Sequence, residues 1–205
     1  MSRRRIALAA LAVSAGAAAA GIAIAAPGDV SVASVSEAGT LGTTPVEAAA
    51  VSADGRYVAF TSAADLTSVG TGGRRQLYVR DRAAGTTRLA SASAAGQPSD
   101  ADVDAEDVGN VQFAISADGR YVVFAAAATN LTAADTDAAK DVYRKDMASG
   151  AVTLVSVNSA GVKANAAVAG DPDVSADGTR VAFGTGAATT NLIPGDANNA
   201  SDVVV

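Results

Sequence analysis

The 205-residue sequence contains no cysteine, no histidine and no tryptophan. The missing cysteine excludes a disulfide framework, a thiol nucleophile and a lipid-anchor cysteine. The missing histidine excludes a Ser-His-Asp or Cys-His engine and leaves zinc without its usual nitrogen ligand. Glutamate is scarce as well: of 21 acids only Glu37, Glu47 and Glu106 are Glu, and the rest are Asp. Asp favours turns and caps where Glu favours helix interiors, so the bias points to a turn-rich chain. Alanine is plentiful enough to suggest helices, but the repeat pattern described below overrides it. The length is sufficient to bury a core as one domain or as two small ones.

Long apolar runs are also absent, with one exception at the N-terminus. Arg3, Arg4 and Arg5 precede an uncharged stretch from Ile6 to Ile24, and Ala23-Ile24-Ala25 supplies a small-x-small cleavage pattern. Residues 1–25 therefore read as an export signal, with an uncleaved membrane anchor as the alternative. The Arg pair resembles a twin-arginine signal without its usual Phe-Leu, so the Sec and Tat routes both stay open. Cleavage leaves residues 26–205 and removes three arginines, which moves the formal charge from −6 to −9. So acidic a chain has no electrostatic footprint for nucleic acid, and nothing after residue 25 is apolar for long enough to span a bilayer. The expected location is periplasmic or secreted, with no membrane association after cleavage.

The remaining chain repeats itself. Val51-Ser-Ala-Asp-Gly-Arg-Tyr-Val-Ala-Phe60 returns as Ile115-Ser-Ala-Asp-Gly-Arg-Tyr-Val-Val-Phe124 and as Val174-Ser-Ala-Asp-Gly-Thr-Arg-Val-Ala-Phe183. Downstream, Gln76-Leu-Tyr-Val-Arg-Asp81 matches Asp141-Val-Tyr-Arg-Lys-Asp146, and a third copy begins at Asp202. Thr87–Ser93 and Val152–Asn158 then lead into Gly96 and Gly161, and a similar segment, Val30–Ser36 with Gly39, precedes the first full copy. Asp-Gly between β-rich runs is a strong hairpin signal, so each unit reads as four short strands. Tyr57, Phe60, Tyr78, Tyr121, Phe124, Tyr143 and Phe183 fall at repeat positions and are assigned to packing between sheets; Phe113 alone does not.

Ser-x-Asp-Gly-x-x-Val-Ala-Phe, a Tyr-Val-x-Asp strand and a Gly turn before a Thr-rich strand resemble the TolB-type, WD-like β-propeller repeat of exported bacterial proteins. The resemblance covers about residues 30–205; the third copy departs from it at Thr179-Arg180 and Val204. It implies an all-β fold of four-stranded antiparallel propeller blades, about three in number, at approximately 40–96, 97–161 and 162–205. Residues 30–36 are a candidate closing strand for the last blade. Three blades do not close a ring, because propellers usually need four to eight. Two arrangements remain: a homodimer completing a six-bladed ring, or a piece of a longer protein.

The loop before the third strand has one length in all repeats, from Leu66 to Leu77, Leu131 to Val142 and Leu192 to Val203. Two copies carry oxygen ligands at matching positions: Asp135, Asp137 and Asp141 in one, Asp196, Asn198 and Asp202 in the other. The pattern resembles the start of a calcium loop without its central Gly or closing Glu, and Asx-turns explain the same residues without metal. Calcium is the sole cofactor expectation. Asp100, Asp102, Asp104, Glu106 and Asp107 occupy an insertion specific to one repeat and read as a solvated, self-repelling loop. Asp54, Asp118 and Asp177 read as turn formers, and Arg56 and Arg120 as decoration at the solvent end of the hairpins.

No catalytic residue is assigned: no serine has a sequence-defined base, and Lys140, Lys145 and Lys163 form no Ser-x-x-Lys motif. The expected function is an exported non-catalytic binding or scaffolding module with a protein or glycan partner. The alternative is a propeller fragment of a larger hydrolase or glycan-active enzyme whose catalytic part lies elsewhere.

Overall fold

The computed structural model describes residues 30–103 and 112–205. The proposed export signal, and Asp104, Glu106 and Asp107 of the acidic insertion, lie outside the described residues. Within them the chain is all-β, without a helix. The first sheet runs β1 (Val46–Val51), β2 (Tyr57–Ser62), β3 (Gln76–Asp81) and β4 (Thr86–Leu89) in spatial order. The second repeats this with β5 (Phe113–Ile115), β6 (Tyr121–Ala126), β7 (Asp141–Asp146) and β8 (Val152–Leu154). The third holds β9 (Gly170–Val174), β10 (Val181–Gly184) and β11 (Val203–Val204). Every pairing is antiparallel, so the blades are meanders: two four-stranded, one three-stranded.

The repeated Ser-x-Asp-Gly sequence makes its hairpin by a fixed set of bonds. The Ser52 hydroxyl donates to Asp54 Oδ1 at 2.7 Å and accepts from the Tyr57 N–H at 2.9 Å, while the Arg56 N–H donates to Asp54 at 3.0 Å. Ser116 with Asp118 and Ser175 with Asp177 repeat the arrangement. These three aspartates are thus committed to their turns, where short polar side chains substitute for missing backbone partners.

Alternation along the strands sends one set of side chains to each face. Phe60 stacks on Tyr78 at 5.9 Å between ring centres, and Phe124 on Tyr143 at 5.6 Å, as cross-strand pairs of β2–β3 and β6–β7. Ala59, Leu77 and Val79 of the first sheet meet Val122, Phe124 and Tyr143 of the second in one core, and Val123 and Val142 meet Val181 and Phe183 in the next. Phe113, the aromatic outside the repeat pattern, pairs with Phe124 and is buried in the first of these cores. Burying each such side chain contributes roughly 1.5–3 kcal/mol, so the cores between sheets dominate stability.

The sheets are also joined through their hairpins. The Ala53 N–H donates to the Ala117 carbonyl at 3.0 Å, and the Ala117 N–H to the Ala176 carbonyl at 3.0 Å, linking the three Asp-Gly turns in a row. The rings of Tyr57 and Tyr121 press against Gly119 and Gly178 of the following turn.

Residues 30–42 form no strand; a single bridge joins Val35 and Leu41. The segment lies on the first sheet, where the Thr87 hydroxyl donates to the Val35 carbonyl at 2.6 Å and the Glu37 N–H donates to the Leu66 carbonyl at 3.0 Å. β11 is paired with β10 alone among the described residues.

Candidate functional site

Three of the six acids and amides expected to hold a cation converge. The loop from Leu131 to Asp141 is anchored at its buried ends by Leu131 and by the first residue of β7. Between them the Asp137 N–H donates to Asp135 Oδ1 and the Ala139 N–H to Asp137 Oδ1, at 3.3 and 2.8 Å, so two successive Asx-turns fold the loop inward. Carboxylate oxygens of Asp135, Asp137 and Asp141 then lie within 4.8 Å of one another. Asp135 and Asp141 have fully buried side chains, whereas Asp137 is exposed.

The cation among them belongs to the protein. Lys163 Nζ sits 2.8 Å from Asp137 Oδ1, 2.8 Å from Asp141 Oδ2 and 3.5 Å from Asp135 Oδ1. Tyr143 bonds through its hydroxyl to Asp135 and also reaches the Ala128 carbonyl, and Ser156 Oγ donates to Asp141 Oδ1 at 2.6 Å. Burial works against the Lys163 ammonium, but its hydrogen bonds to Asp137 and Asp141 outweigh this and hold its pKa above the usual lysine value. Burial pushes the Asp141 carboxyl up, against the pull of Lys163 and Ser156, while the hydrogen bond from Lys163 holds Asp137 down.

Lys163 joins blades as well as charges. It stands in the connection from β8 to β9, and its carbonyl accepts from Asn191 Nδ2 of the β10–β11 loop at 2.8 Å. Its side chain therefore holds the loop of the second sheet while its backbone holds the loop of the third. The first sheet makes the equivalent joint without charge. Gln76 stands where Asp141 stands; Ser91 Oγ donates to its Oε1 at 2.6 Å, and its Nε2 donates to the Ser99 carbonyl at 3.0 Å. Pro98 occupies the place of Lys163, and its carbonyl accepts from Asn130 Nδ2 at 2.8 Å.

The other candidate set repeats the loop bonds: Asn198 donates its N–H to Asp196 Oδ1 at 3.2 Å and Ala200 its N–H to Asn198 Oδ1 at 2.7 Å. Asp202 donates its N–H to Thr185 Oγ1 at 2.8 Å. Asp196 and Asp202 are half-buried and Asn198 is exposed.

Several residues acquire roles that the sequence did not suggest. Asp100 is no free loop acid: it accepts from the Thr129 N–H at 2.8 Å and from the Thr129 hydroxyl, and its own N–H donates to Asn130 Oδ1. Asn165 makes the same clasp with Thr190 and Asn191. Asp102 accepts from the Arg75 N–H at 2.8 Å. Arg56 and Arg120, expected as surface decoration, form two-point pairs with Asp81 and Asp146 across β2–β3 and β6–β7. Lys145 is buried, and its ammonium donates to three carbonyls, Ala92, Ser93 and Gly150, at 2.8, 3.1 and 2.8 Å. Burial lowers its pKa, with Arg88 adding to the effect. A signal was present for Lys163, since Asp141 and Lys163 change together where the first repeat has Gln76 and Pro98.

An open cleft of about 300 Å³ lies beside Lys145, lined by Thr67–Val69, Arg88, Glu37 and the turn at Ala92–Gly96.

No protein-family model matches the chain, and no curated protein matches it in sequence. Among solved structures it is similar to the tricorn protease, at 13% identity and a TM-score of 0.41, over 71% of this chain and 11% of that one. It is similar to TolB from Acinetobacter baumannii at 15% identity and a TM-score of 0.28, over 70% and 38% of the two chains. A third is the putative TolB from Agrobacterium tumefaciens, at 18% identity and a TM-score of 0.25, over 66% and 52%. The match takes in between 11% and 52% of the length of these proteins.

Proposed function

We propose that the chain works after export as a non-catalytic binding and scaffolding module that takes a protein or glycan ligand on its loops. The observation that carries this reading is a contrast inside each repeat. The turn residues and their ion pairs are the same in the first two sheets: Ser52, Asp54, Arg56 and Asp81 do what Ser116, Asp118, Arg120 and Asp146 do. The loops Leu66–Leu77, Leu131–Val142 and Leu192–Val203 keep one length and change their side chains. A fixed frame with variable loops is the division expected where function sits on connections held by a rigid scaffold. The cleft beside Val69 and Arg88 gives such a ligand a concave place on the first two sheets.

The reading is tested with purified residues 26–205 on glycan and envelope-protein arrays, followed by Val69→Asp and Arg88→Ala in the cleft. Saturable binding that these variants weaken at least tenfold, with unchanged melting temperature, supports it. Turnover of ester, peptide or glycoside substrates by the same preparation contradicts it and favours the enzyme-fragment alternative.

A second copy of the chain fits the same proposal as a partner. Gly55 has the backbone of Gly119 and Gly178, with φ of 70° against 73° and 73°, but among the described residues no ring rests on it; a Cβ there would meet the Arg82 guanidinium alone of them, at 3.9 Å. A particle of twice the chain's mass in light scattering supports pairing, and a folded monomer at high concentration contradicts it.

A further inference from the structure

Hard divalent cations take oxygen ligands at about 2.3–2.6 Å, so oxygens on opposite sides of a bound calcium stand roughly 5 Å apart. The oxygens of Asp135, Asp137 and Asp141 lie within 4.8 Å of one another, which is the span of one such ion. What stands among them is an ammonium, and it sits unevenly: 2.8 Å from Asp137 Oδ1 and Asp141 Oδ2 but 3.5 Å from Asp135 Oδ1. Asp141 Oδ2 is buried, and the Lys163 ammonium, at 2.8 Å, is its one partner among the described residues. In charge, one ammonium faces three carboxylates, two of them with fully buried side chains. The first repeat shows that the joint itself requires no acids, since Gln76 reaches the Ser99 carbonyl directly. In the second repeat the acids stand with the lysine, as a charged group and its counter-ion.

We propose that Lys163 is a built-in cation standing in the place of a divalent ion, and that the carboxylate trio becomes a site for a hard cation of the calcium class once its ammonium is removed. Asp135, Asp137 and Asp141 supply the protein ligands, and water completes the shell through the exposed Asp137 side. With Lys163 in place the native chain takes no divalent ion there.

Terbium luminescence of the full chain tests this. Tyr143 bonds to Asp135, so a lanthanide in the site lies beside a phenol ring, and the chain has no tryptophan to confuse the emission. The native chain is expected to give no saturable tyrosine-sensitised emission. Lys163→Gln and Lys163→Met are expected to gain it, with displacement by calcium at about 10⁻⁴–10⁻³ M, the range of weak extracellular sites. Adding Asp141→Asn to Lys163→Gln should abolish the gain. Native emission that Asp141→Asn removes would overturn the proposal, as would a folded Lys163→Gln variant that gains none. If both lysine variants unfold in chelator, their melting is followed with and without calcium. Recovery of a cooperative transition with calcium supports the proposal, and continued unfolding overturns it.

Discussion

The ring of Tyr57 lies so close to Gly119 that a Cβ on the glycine would stand 2.1 Å from Cδ2 of the tyrosine. Tyr121 and Gly178 repeat the contact at 2.0 Å, one sheet further on. The Asp-Gly turn therefore does two things. Its glycine supplies the positive φ of the hairpin, and its bare backbone supplies the surface on which the preceding blade rests a ring.

Alanine at these glycines separates the two roles. Gly55→Ala meets the backbone penalty alone and should cost about 1–2 kcal/mol. Gly119→Ala and Gly178→Ala add the displacement of a ring and should cost about 2–5 kcal/mol. Urea unfolding of the three variants gives the comparison; equal costs would show that the rings do not join the blades.

The arginine–aspartate pairs predict acid lability with a definite sign. Hydrogen bonds from Arg56 hold Asp81 at about 2, against 3.8 for the unperturbed group, and Arg120 holds Asp146 lower still. A depressed carboxyl adds stability above its unfolded pKa and loses it as pH falls through its folded one. Stability should therefore drop between about pH 4 and 2. Arg56→Gln with Arg120→Gln should flatten that drop while leaving the fold intact at pH 7, as read by melting temperature against pH.

The two versions of the interblade joint predict an exchange. Gln76→Asp alone places an uncompensated carboxylate in a buried position and should destabilise by about 3–5 kcal/mol. Adding Pro98→Lys supplies the ammonium in the place Lys163 holds and should recover at least half of that loss. No recovery would mean that the two joints are not equivalent.

Much of the architecture is legible in the sequence, because its causes are local. Asp54-Gly55 and its copies make hairpins from their own side chains, and alternation places Phe60 opposite Tyr78 without reference to other sheets. What escapes is whatever depends on how one sheet sits against the next. Asp100 reads as a solvated acid because Thr129 and Asn130 are 29 and 30 residues away in the chain. Gln112 gives no signal at all, yet it is buried and clamps Asp171, donating to its carboxylate at 2.7 Å and accepting from its N–H at 3.1 Å, where the backbone has a φ of 51°. The candidate cation loop is half legible: spacing brings Asp135, Asp137 and Asp141 forward, and the lysine that closes them enters from the linker to the third blade.

The central claim is that these aspartates are joint residues satisfied from within the chain. A double-mutant cycle of Asp141→Asn and Lys163→Gln, by urea unfolding in chelated buffer, tests it most directly. Groups that close one joint should couple by about 1–3 kcal/mol, with the double variant losing less than the sum of the singles. Additivity within about 0.3–0.5 kcal/mol would contradict the account, because it would mean that the ammonium does not hold the carboxylates together.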